Sequence, residues 1–235
     1  MAARFDAATD RYETTTGLTT GTTYTVVCWF YISVDRFAYS NIWELQYGGR
    51  SQLNNVYITD SKLIELWDLG GPKIAHQGSV GVWQRLAVAV NGGDATFYYG
   101  TATGALAVAN TTTLAVPSGG SSKLLIGNDI HGQFLNGKIA PKKWWNVTLG
   151  PEEIERELSC YQPVRTSGLL RWHPWVVAET VDYSGNGNNL TAGSTATTTE
   201  DGPPIPWGPS RPRLMLPSAA AAPVNPPGAF FPFFP

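Results

Sequence analysis

The ten residues TYTVVCWFYI, at positions 23–32, decide the fold class. β-Branched and aromatic side chains dominate this stretch, and such residues favour strands. Successive side chains of a strand point to opposite faces, and here both faces are apolar. The two apolar sets are Val26, Cys28, Phe30 and Ile32 on one face and Val27, Trp29 and Tyr31 on the other. The pattern predicts a central strand that other parts of the chain cover on both sides.

Shorter strand signals follow this stretch as far as position 145, and clusters of Gly, Asn, Ser and Pro separate them. The predicted strands are Asn41–Tyr47, Leu53–Thr59, Leu63–Leu69, Gln84–Val90, Ala95–Tyr99, Ala105–Ala109, Lys123–Ile126 and Gly137–Trp145. Many short strands at this spacing are typical of sandwiches and jelly rolls. We therefore predict an all-β fold, an antiparallel β-sandwich jelly roll.

One short helix is predicted in the stretch GPEEIERELSCY, at positions 150–161. Pro151 suits the first helical position, where a missing N–H costs nothing. The two following glutamates lie at the positive end of the helix dipole. Ile154, Leu158 and Tyr161 recur at i, i+4 and i+7, so the helix should lay one apolar stripe on the sandwich.

Composition argues against two classes of partner. The 235 residues include 16 basic and 18 acidic side chains, and the basic ones form only short pairs such as Lys142-Lys143. Phosphate backbones attract clustered basic residues, so we expect no nucleic-acid partner. No apolar run reaches the roughly 20 residues of a membrane-spanning helix, and residues 1–17 lack the apolar segment of a secretory signal. We expect no membrane association.

The two cysteines do not form a disulfide framework. Cys28 lies in the apolar stretch at positions 23–32 and is expected to be a small buried hydrophobe. The sequence leaves open whether it pairs with Cys160.

Several motifs occur in an order that carries a family resemblance. Trp83 opens a strand of the pattern W-x-x-L-A-V, and Tyr98 follows a hairpin. LLIG at positions 124–127, FLNGKI at 134–139 and LGPEEI at 149–154 come next. In this order they resemble the concanavalin A-like lectin/glucanase superfamily, and within it the laminin-G-like jelly rolls. The resemblance implies that two antiparallel sheets bury six residues, with Ile154 and Leu158 packed on them. The six are Trp83, Leu86, Val88, Ile126, Phe134 and Ile139.

A later segment extends the resemblance. LLRWHPW at positions 169–175 and DYSGNGNNLT at 182–191 are similar to the closing segment of related phage and bacterial proteins. The resemblance spans about residues 3–207, and prolines are frequent beyond it. Proline favours extended polyproline conformations over packed structure. We predict one laminin-G-like domain at residues 1–207 and an extended, Pro- and Phe-rich docking tail at 208–235.

No catalytic motif is apparent. Glucanases of this superfamily carry carboxylates that alternate along one strand, so that one attacks and another donates a proton. The carboxylates around Glu44, Glu65 and Asp68 do not have that spacing. The histidines at 76, 131 and 173 show no metal-ligand spacing, and we expect them on surfaces or interfaces. The sequence thus predicts that the chain is not an enzyme.

Two kinds of binding residue are proposed. Tryptophan faces stack on sugars, and Trp43 and Trp67 are the candidates for a carbohydrate-binding face. Some laminin-G-like domains bind calcium at one rim, so the resemblance implies Asn128, Asp129 and Asn136 as candidate oxygen ligands. Calcium is the one cofactor considered, and the alternative is that these are simply turn residues.

The end of the sequence, PVNPPGAFFPFFP, suggests assembly. Leaving four phenylalanines in water would forgo roughly 1.5 to 3 kcal/mol of burial each, so we expect them to dock on another protein. They are Phe230, Phe231, Phe233 and Phe234. The leading interpretation is a non-catalytic structural or adhesion protein on a bacteriophage virion, assembled in the host cytoplasm beside other virion proteins in multiple copies. A soluble, extracellular lectin that binds cell-surface glycans is the alternative, and a glycoside hydrolase the third.

Overall fold

Strand β3, Thr23–Ile32, lies inside the first of two sheets, as its sequence predicts. It pairs with Trp83–Asn91, strand β8, on one side and with Gly137–Trp145, strand β12, on the other. Its side chains alternate between two apolar clusters, one between the sheets and one on the outer face of this sheet. Both faces of the strand are therefore covered.

The computed structural model describes residues 1–7, 9–14, 22–33, 39–47, 50–68, 71–114, 122–129, 131–175, 180–193 and 198–207. In this part of the chain, five more strands join the first sheet: β1 Ala2–Phe5, β9 Asp94–Thr101, β10 Ala107–Thr113, β13 Leu169–His173 and β15 Thr198–Glu200. The second sheet consists of β2 Tyr12–Thr14, β4 Ser40–Tyr47, β5 Arg50–Ile58, β6 Leu63–Asp68, β7 Gly71–Gln77, β11 Ser122–Ile126 and β14 Leu190–Ala192.

The two sheets form an antiparallel sandwich, which confirms the predicted fold class. The first sheet has the order β10-β9-β8-β3-β12-β1-β15, and β13 pairs with β12 beyond the end of β1. The second has the order β14-β2-β11-β4-β5-β6-β7. Strand β7 was missed, because the turn residues Gly70-Gly71-Pro72 suggested a break where the strand in fact begins at Gly71.

The inter-sheet core contains most of the residues that the family resemblance implied. Leu86, Val88, Ile126 and Ile139 are fully buried there, and Phe134 is 9% exposed. The prediction that Trp83 is buried between the sheets is wrong, because Trp83 is half-buried and packs with the outer-face cluster. The physical reason is strand alternation: residues 83 and 86 are an odd number of positions apart and point to opposite faces of β8.

Helix α1, Pro151–Leu158, lies on the outer face of the first sheet. Its apolar stripe, with Ile154 and Leu158, packs against Trp29 and Trp145. The Trp29 indole Nε1 donates a hydrogen bond of 2.7 Å to the Leu158 carbonyl. In the part of the chain that the structure describes, no helix is long and apolar enough to span a membrane.

The adjacent tryptophans of β12 are both core residues. Strand alternation points the two side chains to opposite faces of the first sheet. Trp144 is buried between the sheets and Trp145 under helix α1, so the sandwich itself uses both faces. Cys28 and Cys160 are buried with free thiols.

Lys142 is a buried cation inside the sandwich. Its ammonium lies 4.5 Å from the ring centroid of Trp43 and 5.8 Å from that of Trp144, and it has no hydrogen-bond partner. Burial, together with the charge of Arg171, lowers the pKa of Lys142 to about 7, although neighbouring Cys28 acts in the opposite direction. A charged amine in this position costs folding free energy, because aromatic faces only partly replace water.

The buried amine predicts a pH-dependent stability. The unfolded chain holds the Lys142 proton more tightly than the folded chain, so the free energy of unfolding should rise from pH 7 to 9. The slope is about 1.4 kcal/mol per pH unit at most. Above about pH 9 the Cys28 thiol, whose pKa burial raises to about 12, opposes this trend.

Urea denaturation at several pH values tests this prediction. Lys142→Met should reduce the slope between pH 7 and 9 and stabilise the protein at pH 7. The matched control Lys73→Met, on the partly exposed Lys73, should keep the wild-type slope. Equal slopes in the wild type and Lys142→Met would contradict the assignment.

Candidate functional site

The outer face of the second sheet is the surface on which polar and aromatic side chains converge. Helix α1 and neighbouring segments cover the corresponding face of the first sheet. Along β5 and β6 the apolar residues Val56, Ile64 and Leu66 point into the core. The alternate residues therefore point outward. They form two cross-strand pairs, Asn55 with Trp67 and Tyr57 with Glu65.

Three aromatic rings and one amide form a pocket on this face. Its described lining is Tyr39, Tyr57, Trp67 and Gln133, and its volume is about 80 Å³. The ring centroids of the three aromatic residues lie 5.9 to 6.2 Å apart, and their planes are inclined at 77 to 83°. The Trp67 indole Nε1 donates a hydrogen bond of 2.6 Å to Glu65 Oε2, which holds the indole in place.

The Tyr57 hydroxyl lies at the centre of a buried polar network. It accepts a hydrogen bond from Asn55 Nδ2 at 3.3 Å and donates one to Asp129 Oδ2 at 3.4 Å. Burial raises the pKa of Tyr57 well above its usual value, and the charges of Glu44 and Asp129 raise it further. The hydroxyl therefore stays protonated and acts as a hydrogen-bond donor.

Asp129 organises the loop that borders the pocket. Its Oδ1 accepts backbone N–H hydrogen bonds of 2.8 Å from both His131 and Gln133. The loop is tied to the sheet by the Asn41 N–H, which donates to the Gln133 carbonyl at 3.0 Å. These contacts place the Gln133 side chain at the rim of the pocket.

The two tryptophans proposed for sugar binding have different positions. Trp67 lines the pocket. Trp43 is only 2% exposed and lies in the inter-sheet core beneath Lys142. The bulges of β4 on either side of Trp43 shift its alternation relative to β5, so the sequence pattern did not reveal which face it occupies.

Two of the three residues proposed for calcium have oxygen atoms that accept hydrogen bonds within the protein. Both carboxylate oxygens of Asp129 already accept hydrogen bonds. Asn128 is buried next to it, and the Asn136 carbonyl accepts the Ser33 N–H at 2.9 Å. The described residues contain no group of three or more His, Cys, Asp or Glu side chains that could hold a metal ion. Calcium binding stays an untested prediction.

His173 is not among the described residues that line this pocket. The prediction that His173 lies on a surface or interface is wrong, because the residue is buried. Burial lowers its pKa to about 4. The proposed docking residues Phe230, Phe231, Phe233 and Phe234 lie outside the described residues.

The sequence analysis missed most of the pocket. Tyr39, Tyr57 and Gln133 come from three separate segments, and none has a motif of its own. The carboxylates of Glu44, Glu65 and Asp129 likewise come from two strands and a loop, so no linear spacing reveals them. The alternation N-x-Y at 55–57 and E-x-W at 65–67 was the available signal, because it places polar and aromatic groups on one face.

The fold and the sequence together define the protein class. The sequence profile described as the concanavalin A-like lectin/glucanases superfamily, a laminin G profile, matches residues 6–155. The match covers more than half of the chain, which therefore belongs to this superfamily. A search of curated proteins finds no significant match.

Solved structures share the fold at low sequence identity. A heptameric SAP-like pentraxin from Limulus polyphemus superposes with a TM-score of 0.59 at 11% identity, over 83% of this chain and 91% of the pentraxin. The enzymatically active domain of tailspike protein 2 from bacteriophage CBA120 gives 0.53 at 14% identity, over 71% of this chain and 28% of that chain. Full-length tailspike protein 2 from an Escherichia coli O157:H7 bacteriophage superposes with a TM-score of 0.50 at 16% identity, over 66% of this chain and 24% of the tailspike chain. The chain thus spans about a quarter of the tailspike chains.

The prediction that the chain is not an enzyme is wrong as an inference from sequence. The fold is shared with an enzymatically active tailspike domain, so it gives no ground for excluding catalysis. The structure also brings the carboxylates of Glu44, Glu65 and Asp129 near Tyr57, although these residues share no spacing along a single strand.

Asp129 should stabilise the pocket loop. Asp129→Ala removes the acceptor of two backbone N–H groups, those of His131 and Gln133. We expect the free energy of unfolding to fall by about 3 kcal/mol, because both groups lose their hydrogen-bond partner. The matched control Asp60→Ala, at an exposed turn, should change stability by less than about 0.5 kcal/mol.

Urea denaturation of both variants checks this expectation, and similar losses in the two would refute it. Millimolar calcium that raises the melting temperature of the wild type but not of Asp129→Ala would instead assign Asp129 to a metal site.

Proposed function

We propose that the chain is a glycan-binding adhesion domain, with the pocket of Tyr39, Tyr57, Trp67 and Gln133 as its sugar site. The observation that carries the proposal is the pocket itself: three aromatic rings and a side-chain amide line it, and the Glu65 carboxylate holds the Trp67 indole. Aromatic faces bury the apolar face of a sugar ring, and the polar groups bind its hydroxyls. Superfamily membership supports a lectin-like role.

Glycan-array binding of the wild type and Trp67→Ala tests the sugar site. Losing the indole removes most of the apolar contact, so binding should fall on the order of tenfold or more. Tyr183→Ala is the matched control, because Tyr183 is an exposed aromatic residue (48%) beside Trp172 of the first sheet. Equal loss in both variants, or no loss in Trp67→Ala, would contradict the proposal.

Glycoside hydrolysis is a second candidate function. The charges of Glu44 and Asp129 both raise the pKa of the Tyr57 hydroxyl. Glu65 lies opposite Tyr57 on the neighbouring strand β6. Glycosidases use two carboxyl groups that flank the scissile bond. Release of reducing ends from array-positive glycans, lost in Glu65→Gln or Glu44→Gln while binding persists, would favour this function.

We further propose that the domain occupies the surface of a particle, a bacteriophage virion, and that residues 208–235 dock it there. The fold likeness to phage tailspike chains and the heptameric state of the pentraxin support a multi-copy assembly. The domain's own contacts continue to Trp207: the Gln162 N–H donates to its carbonyl at 2.6 Å, and its ring stacks on Tyr161 at 5.8 Å. A soluble extracellular lectin is the alternative.

Deletion of residues 223–235 tests the docking segment. The melting temperature should change little from that of the full chain, because the proposal places these residues against a partner and not in the domain's own core. Co-purification with the assembled particle should fall sharply. Normal incorporation would disprove docking, and a marked loss of melting temperature would assign the segment to the domain's own core.

A further inference from the structure

The three rings of the pocket have the geometry of a corner. Tyr39, Tyr57 and Trp67 are nearly perpendicular to one another, with centroids about 6 Å apart, and all three line the same pocket. The rings meet edge to face. A guest in a pocket that all three rings line comes within the ~6 Å over which an aromatic ring attracts a cation, whereas a flat sugar ring stacks on a single face.

The electrostatics of the pocket favour a positive guest. Glu65 accepts the Trp67 indole N–H at 2.6 Å, which increases the electron density of that ring. Glu44 and Asp129 lie close enough to Tyr57 for their charges to raise its pKa. Among the described lining residues none is basic. The site therefore combines three aromatic faces with nearby negative charge.

The size of the pocket limits the guest. Its volume of about 80 Å³ exceeds the ~30 Å³ share of one water molecule, so it admits a compact group. Tyr39 is 41% exposed, which leaves a path from solvent.

We propose that this corner binds an alkylated ammonium group carried by the ligand. Such a cation is weakly hydrated and loses little on leaving water, while the ring faces and carboxylates replace its solvation. The inference uses the same pocket as the proposed glycan site, but it does not require the rest of the ligand to be a sugar.

Calorimetric titration of the full chain with choline and with its uncharged isostere, 3,3-dimethylbutan-1-ol, tests the charge. The two probes have nearly the same shape, so a cation site should bind choline at least tenfold more tightly, and tetramethylammonium should compete. Equal affinities, or no detectable choline binding at 50 mM, would overturn the proposal.

Variants separate the cage from the fold. Tyr39→Ala and Trp67→Ala should each weaken choline binding about tenfold and Glu65→Gln several-fold, while Tyr183→Ala, an exposed aromatic residue outside the described pocket lining, should retain it. Unchanged melting temperatures of Tyr39→Ala and Glu65→Gln show that these variants are folded. Choline binding that survives Trp67→Ala and Tyr39→Ala unchanged would refute the site.

The glycan array and phosphatidylcholine vesicles identify the source of the ammonium group and keep the two proposals distinguishable. Trp67-dependent binding of uncharged glycans without choline binding would sustain the glycan site and refute the cage. Choline binding without any glycan binding would sustain the ammonium site and refute the glycan site. Trp67-dependent binding to ammonium-bearing glycans supports both, and binding to the vesicles supports the cage with a lipid headgroup as its source.

Discussion

The buried ammonium of Lys143 holds helix α1 against the outer face of the first sheet. It projects from β12 opposite to Lys142 and donates to the carbonyls of Glu157 at 2.5 Å and of Cys160 and Gln162 at 2.9 Å, and it pairs with the Glu157 carboxylate at 3.1 Å. Breaking such a buried pair from one side costs several kcal/mol. This interaction fixes helix α1 and the following turn on the first sheet, whereas the face proposed for ligand binding is on the second.

Polar groups on the second sheet serve two purposes at once. Asp129 satisfies the N–H groups of its own loop and receives the Tyr57 hydroxyl, which positions two walls of the pocket relative to each other. Glu65 holds Trp67 in the same way. Hydrogen bonds hold these segments in place before any ligand binds. Such a preorganised pocket loses little conformational entropy on binding.

The closing segment of the domain depends on a single carboxylate. Asp182, the first residue of the DYSGNGNNLT stretch, accepts N–H bonds of 2.9 to 3.0 Å from Trp172, Ser184 and Asn188. These bonds lock the glycine-rich turn against β13 and let β14 extend the second sheet. The motif noticed in the sequence is thus a structural clamp between the two sheets.

The sequence by itself determined the fold class, the central strand at 23–32, the helix at 151–158 and the superfamily, because these depend on residue alternation and local motifs. It also singled out Trp67 and Asp129, although for separate purposes. Only the tertiary structure decided that these two belong to one face with Tyr39 and Tyr57, that Trp43 is core, and that Lys142 and Lys143 are buried on opposite sides of β12. The reason is that strand bulges shift alternation, and that a site built across neighbouring strands and a loop has no spacing along the chain.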